Sequence, residues 1–102
     1  MVDCERVLYN YQLFDDGTLM EVEIYRVEDP EQFPSGFKYS FQFCDPESGE
    51  TYLRYDNSHS YEGHPDRHHR HKGETVSPLK YPGDIYELYK RFKRKVEVLR
   101  GS

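Results

Sequence analysis

The residue type best suited to chemistry in this chain is histidine, and all five histidines lie within a stretch of thirteen residues. An imidazole titrates near neutrality, so one ring can accept a proton while another donates one. Several cations lie in or beside the same stretch, and cations stabilise charge that develops on a phosphate ester. The histidines are His59, His64, His68, His69 and His71, and the neighbouring cations are Arg54, Arg67, Arg70 and Lys72.

Residue types alone leave three interpretations of this cluster open. The first is a solvated run whose imidazoles face water, which explains the composition but not the accompanying cations. The second is a metal site, because His69 and His71 share a face if the segment is extended. Asp66, His64 or His59 would then complete the shell, although the spacing matches no closed zinc motif and no cysteine lies nearby. The third is cleavage of RNA without a metal or other cofactor.

Under the third interpretation, one group removes the 2′-hydroxyl proton, another protonates the leaving oxygen, and cations neutralise the phosphoryl charge. His69 and His71 would form the core of the site, with His59 or His64 as the second proton-transfer group. Asp56 would orient one imidazole by accepting its other ring N–H. The predicted catalytic residues are therefore His69, His71, His59, Asp56 and Arg54, with Lys72 as a second stabilising cation.

Asp56 and Asn57 also have a competing, purely structural interpretation. Both follow a predicted strand, and both residue types cap turns by bonding their own backbone. Either role is consistent with their position in the sequence.

Charge is distributed unevenly along the chain. Residues 1–63 carry a net charge of −10 and residues 64–102 a net charge of +5. This asymmetry favours an anionic partner for the C-terminal part, although the two halves could also neutralise each other within the fold. The same surface could bind a nucleic acid or a protein without turnover, and such a binding module is the alternative to an enzyme. The predicted nucleic-acid-binding residues are Arg67, Arg70, Lys72, Lys90 and Lys93.

The elements that must position these residues begin with strands. Apolar side chains alternate with a period of two in four segments, which predicts strands at residues 6–14, 19–27, 37–44 and 50–56. The clearest case has Phe37, Tyr39, Phe41 and Phe43 on one face. Turn chemistry separates the segments, with Gly17 free to take a positive φ. Together they predict a four-stranded antiparallel meander with one face to bury.

The rest of the chain predicts a long loop and a covering helix. Residues 57–83 have no periodicity and hold every histidine, so they are predicted to form a functional loop. A helix is predicted over residues 84–100, with Asp84 as N-cap and Glu87 able to pair with Arg91. We therefore expect one α+β domain over residues 1–102, with the helix packed on the aromatic face of the sheet. The apolar stripe expected there is Ile85, Leu88, Phe92, Val96 and Leu99.

Composition places the chain among small globular proteins. It has 102 residues, 16% of them aromatic, and a mean hydropathy of −1.00. No apolar run is long enough for a transmembrane helix, and the N-terminus has no signal-peptide pattern, so we expect no membrane association. Two cysteines do not make a disulfide framework, which favours a cytoplasmic location with reduced thiols.

The order of these features resembles the TumE family of prokaryotic toxin–antitoxin proteins. The resemblance covers most of the chain: paired strands around Asp16-Gly17, the aromatic segment Tyr39-Ser40-Phe41, and a C-terminal helix. Its most specific part is Arg54-Tyr55-Asp56-Asn57 followed by His68-His69-Arg70-His71. Family members tend to have a proline near the histidine that follows the Asp-Asn pair, whereas Ser58-His59-Ser60 stands here.

The resemblance implies a small toxin encoded beside an antitoxin, often one with a helix-turn-helix. By class-level analogy, it also implies an activity directed at RNA. The positions that carry over are Arg54, Asp56, Asn57, His59, His69 and His71.

Overall fold

A computed structural model describes residues 4–57 and 68–101. It confirms the α+β class: one antiparallel sheet carries a C-terminal helix on one face. The strands lie side by side in chain order. They are β1 (Cys4–Leu13), β2 (Leu19–Val27), β3 (Phe37–Cys44), β4 (Thr51–Asp56), β5 (His69–Lys72) and β6 (Thr75–Pro78), and the helix is α1 (Ile85–Leu99).

Across residues 4–57 and 68–101 the sheet has six strands, so the predicted four-stranded meander is wrong in its strand count. The two extra strands, β5 and β6, lie inside the predicted loop at residues 57–83. Strand β5 escaped detection because its four residues are all polar and show no apolar alternation. One signal was present: Gly73 opens the two-residue loop between β5 and β6 with a φ of 60°. Glycine first in such a loop is typical of a type II′ hairpin.

The antiparallel register divides the side chains between two faces. One face, here called the helix face, packs against α1 and carries Val22, Phe41 and Tyr55. The opposite face, here called the open face, carries the side chains of the alternate residues. An irregularity between Arg6 and Leu8 interrupts the alternation in β1.

The core forms where α1 crosses the middle strands. Phe92 is completely buried, and its ring lies 5.5 Å from that of Phe41 and 5.1 Å from that of Tyr55. Ile85, Leu88 and Val96 are buried on the same stripe, as predicted. Leu99 was predicted to join them but is 43% exposed. It is the last helical residue and lies at the rim, beside a shallow cleft that Leu53 and Tyr55 also line.

A side chain caps the start of the helix, and backbone hydrogen bonds from Arg100 close its end. Asp84 caps the start by accepting hydrogen bonds from the Tyr86 and Glu87 amides, as expected. The predicted pair between Glu87 and Arg91 is present at 3.5 Å. No helix within residues 4–57 and 68–101 is long and apolar enough to cross a membrane.

Candidate functional site

Strand pairing brings the two most specific sequence segments together. In the register between β4 and β5, Arg54 lies opposite His71 and Asp56 lies opposite His69. Residues two apart on a strand share a face, as do directly opposite residues. All four side chains therefore lie on the open face, next to one another. They are here called the Asp56 cluster: Arg54, Asp56, His69 and His71.

The carboxylate of Asp56 lies at the centre of this cluster. Its Oδ1 atom is 2.8 Å from Nε2 of His69, and its Oδ2 atom is 2.9 Å from Nε of Arg54. Nε2 of His71 lies 4.0 Å from the same Oδ2 atom. Within the described part of the chain, neither Asp56 Oδ1 nor Arg54 Nε has an aligned hydrogen bond. These approaches are therefore close polar contacts, and the approach of the Arg54 guanidinium gives the buried carboxylate a countercharge.

The four side chains differ in how far solvent reaches them. The side chains of Asp56 and His69 are only 1% and 2% exposed, whereas those of His71 and Arg54 are 31% and 39% exposed. The two imidazoles meet edge to face with their ring centroids 4.9 Å apart. Within the cluster, solvent thus reaches His71 and Arg54, while Asp56 and His69 lie buried beside them.

The same side chains could also hold a metal ion. Asp56, His69 and His71 each offer one ligand atom, and these atoms lie within 4.8 Å of one another. Two imidazoles and one carboxylate are a donor set that divalent transition metals accept. Asp56 takes the place expected for Asp66, His64 or His59, which all lie outside the described residues. The Arg54 guanidinium already neutralises the carboxylate, so an ion would have to share Asp56 with it.

His68 belongs to the opposite side of the sheet. Its ring stacks between Tyr81, at 4.5 Å, and Tyr39, at 5.7 Å. The Tyr39 hydroxyl lies 2.9 Å from His68 Nδ1. Burial raises the pKa of Tyr39 above its ordinary value, so the phenol keeps its proton and can donate it to that nitrogen. Strand alternation thus separates His68, which packs between two tyrosines, from His69 and His71 on the open face.

Asn57 has a structural role that its position in the sequence left undecided. Its Oδ1 atom accepts a hydrogen bond from the Tyr39 amide at 2.9 Å, and its Nδ2 atom donates to the Phe37 carbonyl at 2.7 Å. The side chain is buried and continues the ladder of β3 after β4 has ended. Asn57 therefore fixes the end of β4, one residue from Asp56.

The predicted nucleic-acid-binding residues do not gather around the Asp56 cluster. Arg70 and Lys72 alternate with its histidines and lie on the helix side, where they line a cleft with Lys95. Lys93 lies over the Tyr89 ring on the helix, and Lys90 is exposed there. Arg67 lies outside the described residues, as does His59. The cation that the structure does bring to the site is Arg54.

A groove beside the cluster was missed from the sequence. It has a volume of about 370 Å³ and lies on the open face, where Arg54 forms one wall. Most of its other lining residues come from β2 and β3, and Cys4 of β1 also lines it. These lining residues include Glu23, Tyr25, Lys38 and Ser40.

Comparison with known proteins places the chain in a family. A family model described as Toxin TumE matches residues 3–100, nearly the whole chain. Searches of the curated proteins and of the solved structures gave no significant match. The match spans both segments that form the Asp56 cluster.

Proposed function

This chain belongs to the TumE toxin family, and we propose that it cleaves RNA without a metal, through the Asp56 cluster. Family membership makes it the toxin of a toxin–antitoxin system, with an antitoxin as its partner. The cleavage reaction and the residues that perform it are the content of the proposal. We also propose that the protein acts in the cytoplasm, where RNA and the antitoxin meet.

One observation carries this proposal. A buried carboxylate, Asp56, contacts one imidazole at 2.8 Å and a guanidinium at 2.9 Å, and a second imidazole lies 4.0 Å away. A carboxylate beside an imidazole stabilises its protonated form and fixes its orientation. Partial exposure of His71 and Arg54 leaves a proton-transfer group and a cation facing solvent together.

The reaction needs no external reactant other than RNA. A base removes the proton of a 2′-hydroxyl, and the oxygen attacks the adjacent phosphorus. The bond from phosphorus to the 5′-oxygen breaks, and an acid protonates that oxygen. The products are a 2′,3′-cyclic phosphate and a 5′-hydroxyl end. Negative charge that builds up on the phosphoryl oxygens in the transition state is stabilised by a fixed cation.

The exposed members of the cluster take the direct roles. His71 exchanges a proton with RNA, and Arg54 donates its free N–H groups to the phosphoryl oxygens. Asp56 and His69 position these two from below. A second proton-transfer group is required, and His59 is our candidate, although it lies outside the described residues.

The partner follows from the same membership. We propose that the antitoxin is of the helix-turn-helix type and that its acidic groups contact the basic C-terminal half of this chain. A non-catalytic module that binds RNA or protein through the same surface is the alternative function.

Inducible expression in bacteria tests the proposal directly. His71→Ala and Asp56→Asn should abolish growth arrest, because each removes a part of the proton-transfer chain. Lys80→Ala is a matched control, since it removes an exposed side chain outside the site and should leave toxicity intact. Thermal melting of each purified variant shows whether the fold is retained.

Three results would contradict the proposal. Full toxicity of folded His71→Ala would remove the cluster from the mechanism. Growth arrest that persists in all cluster variants, with RNA left intact, would favour the binding module. RNA cleavage that is abolished by a chelator and restored by zinc would favour the metal site.

A further inference from the structure

The open face presents its polar side chains in two rows that run across the strands. Opposite residues place Glu23, Ser40, Asp56 and His69 in one row. The next row contains Glu21, Gln42, Arg54 and His71. Adjacent strands lie about 4.8 Å apart, so the backbone positions of Glu23 and Asp56, two strands apart in the row, are separated by about 10 Å. That spacing is about the reach of one nucleotide from its base edge to its phosphate.

The groove lies at the Glu23 end of the first row. Its volume of about 370 Å³ is ample for a purine base. Glu23 and Tyr25 come from β2, and Lys38 and Ser40 from β3, with Ser40 opposite Glu23 and Lys38 opposite Tyr25. Arg54 closes the side toward the Asp56 cluster. A base in the groove would therefore lie beside a phosphate held at that cluster.

We infer that the groove binds a guanine base, with Glu23 and Lys38 recognising its Watson–Crick edge. This inference rests on the proposed function, because it assigns the base next to the cleaved phosphate. An ionised carboxylate only accepts hydrogen bonds, and its two oxygens can accept a parallel pair. Guanine offers such a pair, N1–H and the 2-amino group, whereas adenine and cytosine place an acceptor beside their amino group.

The neighbouring side chains fit the rest of that edge. Lys38 is diagonal to Glu23 across β2 and β3, and its ammonium can donate to O6 of the same guanine. The Tyr25 hydroxyl donates to Glu23 Oε2 at 3.4 Å, which holds the carboxylate in place and leaves most of its lone pairs available.

Binding of uncleavable RNA tests the inference. The probes are 2′-O-methylated tetranucleotides with a single guanine, adenine or cytosine among uracils, and an all-uracil tetranucleotide. Wild-type protein should bind the guanine probe about tenfold or more tightly than the others, because two charge-assisted hydrogen bonds favour it. A probe with hypoxanthine in place of guanine, which lacks the 2-amino group, should fall in between.

Two matched variants localise the effect. Glu23→Gln should lose the guanine preference and shift it towards adenine, because a carboxamide offers one donor and one acceptor. Glu21→Gln makes the same change on the same face, but Glu21 is held by the Tyr9 hydroxyl and does not line the groove. It should bind all the probes like the wild type.

The outcomes separate this inference from the proposed function. Equal affinity for the four bases, no binding of any probe, or an identical effect of both glutamate variants would overturn the guanine assignment. Cleavage of unmodified RNA is measured in parallel. Guanine binding without cleavage would refute only the proposed function, and cleavage without base preference would refute only the guanine site.

Discussion

Asp56 and Asn57 are neighbours in sequence but do different work. The side chain of Asp56 lies on the open face beside Arg54 and His69, whereas that of Asn57 bridges backbone atoms of β3. Sequence alone could not separate them, because both residue types fit a turn and both fit a site. Which of the two side chains belongs to the site depends on which one contacts β5, and β5 itself was not predicted.

Asn57→Ala should destabilise the fold by several kcal/mol. The change leaves the Tyr39 amide and the Phe37 carbonyl without their partners, and each unsatisfied buried group costs about 1–3 kcal/mol. Chemical denaturation measures the free energy of unfolding. Asn10→Ala is the matched control, because among the described residues the Asn10 side chain makes one part-buried hydrogen bond, to the Tyr89 hydroxyl. Equal losses in the two variants would contradict the bridging role of Asn57.

At the scale of elements, the sequence predicted those that carry an apolar period. Strands β2 and β3 and helix α1 match their expected positions because alternating or stripe-forming apolar side chains define them. Strand β5 has no such side chains: its two histidines approach Asp56 on the open face, and its two cations line a cleft on the helix side. The β5–β6 hairpin is also the element that delivers both histidines of the cluster.

Phe92→Ala tests the packing of α1 on the sheet. It should cost about 3–5 kcal/mol, because it empties a space lined by Phe41 and Tyr55. Val98→Ala lies on the outer side of the same helix, where Val98 is 69% exposed, and should change stability by less than about 0.5 kcal/mol. Thermal melting compares the two. A small effect of Phe92→Ala would show that the helix does not cover this face.

Gly73→Ala tests whether the β5–β6 hairpin positions the cluster. A φ of 60° strains any residue with a Cβ, so the hairpin should loosen and toxicity should fall. Gly17→Ala imposes the same kind of strain, at a φ of 86°, in the turn between β1 and β2, away from the cluster. The Gly17→Ala variant should therefore still arrest growth. If both variants were equally toxic at similar melting temperatures, the β5–β6 hairpin would not be needed to position the cluster.

At the scale of the whole molecule, several positive charges of the C-terminal half lie on the helix side of the sheet rather than beside the Asp56 cluster. The proposed catalytic groups lie on the open face, while Lys72 lines a cleft on the helix side and Lys90 is exposed on α1. The charge asymmetry was visible in the sequence, but the face on which Arg70 and Lys72 lie depends on the register of β5. RNA bound at the cluster would have to pass around the sheet edge to meet these lysines.

The double variant Lys72→Ala/Lys90→Ala should therefore weaken RNA binding without slowing the chemical step. We expect a higher KM with kcat nearly unchanged, and a shallower dependence of affinity on salt, because fewer counterions are released. Steady-state cleavage at several salt concentrations measures both. A large fall in kcat with KM unchanged would mean that one of these lysines acts in the reaction itself.

The central claim is that the Asp56 cluster cleaves RNA by metal-independent proton transfer, and the ends of the products test it most directly. Purified wild-type protein is incubated with RNA in EDTA across about pH 5–8, and the fragment ends are identified by mass spectrometry. We predict 2′,3′-cyclic phosphate and 5′-hydroxyl ends and a bell-shaped dependence of the cleavage rate on pH. Folded His71→Ala should not cleave RNA. Intact RNA under these conditions, or the same products from His71→Ala, would contradict the claim.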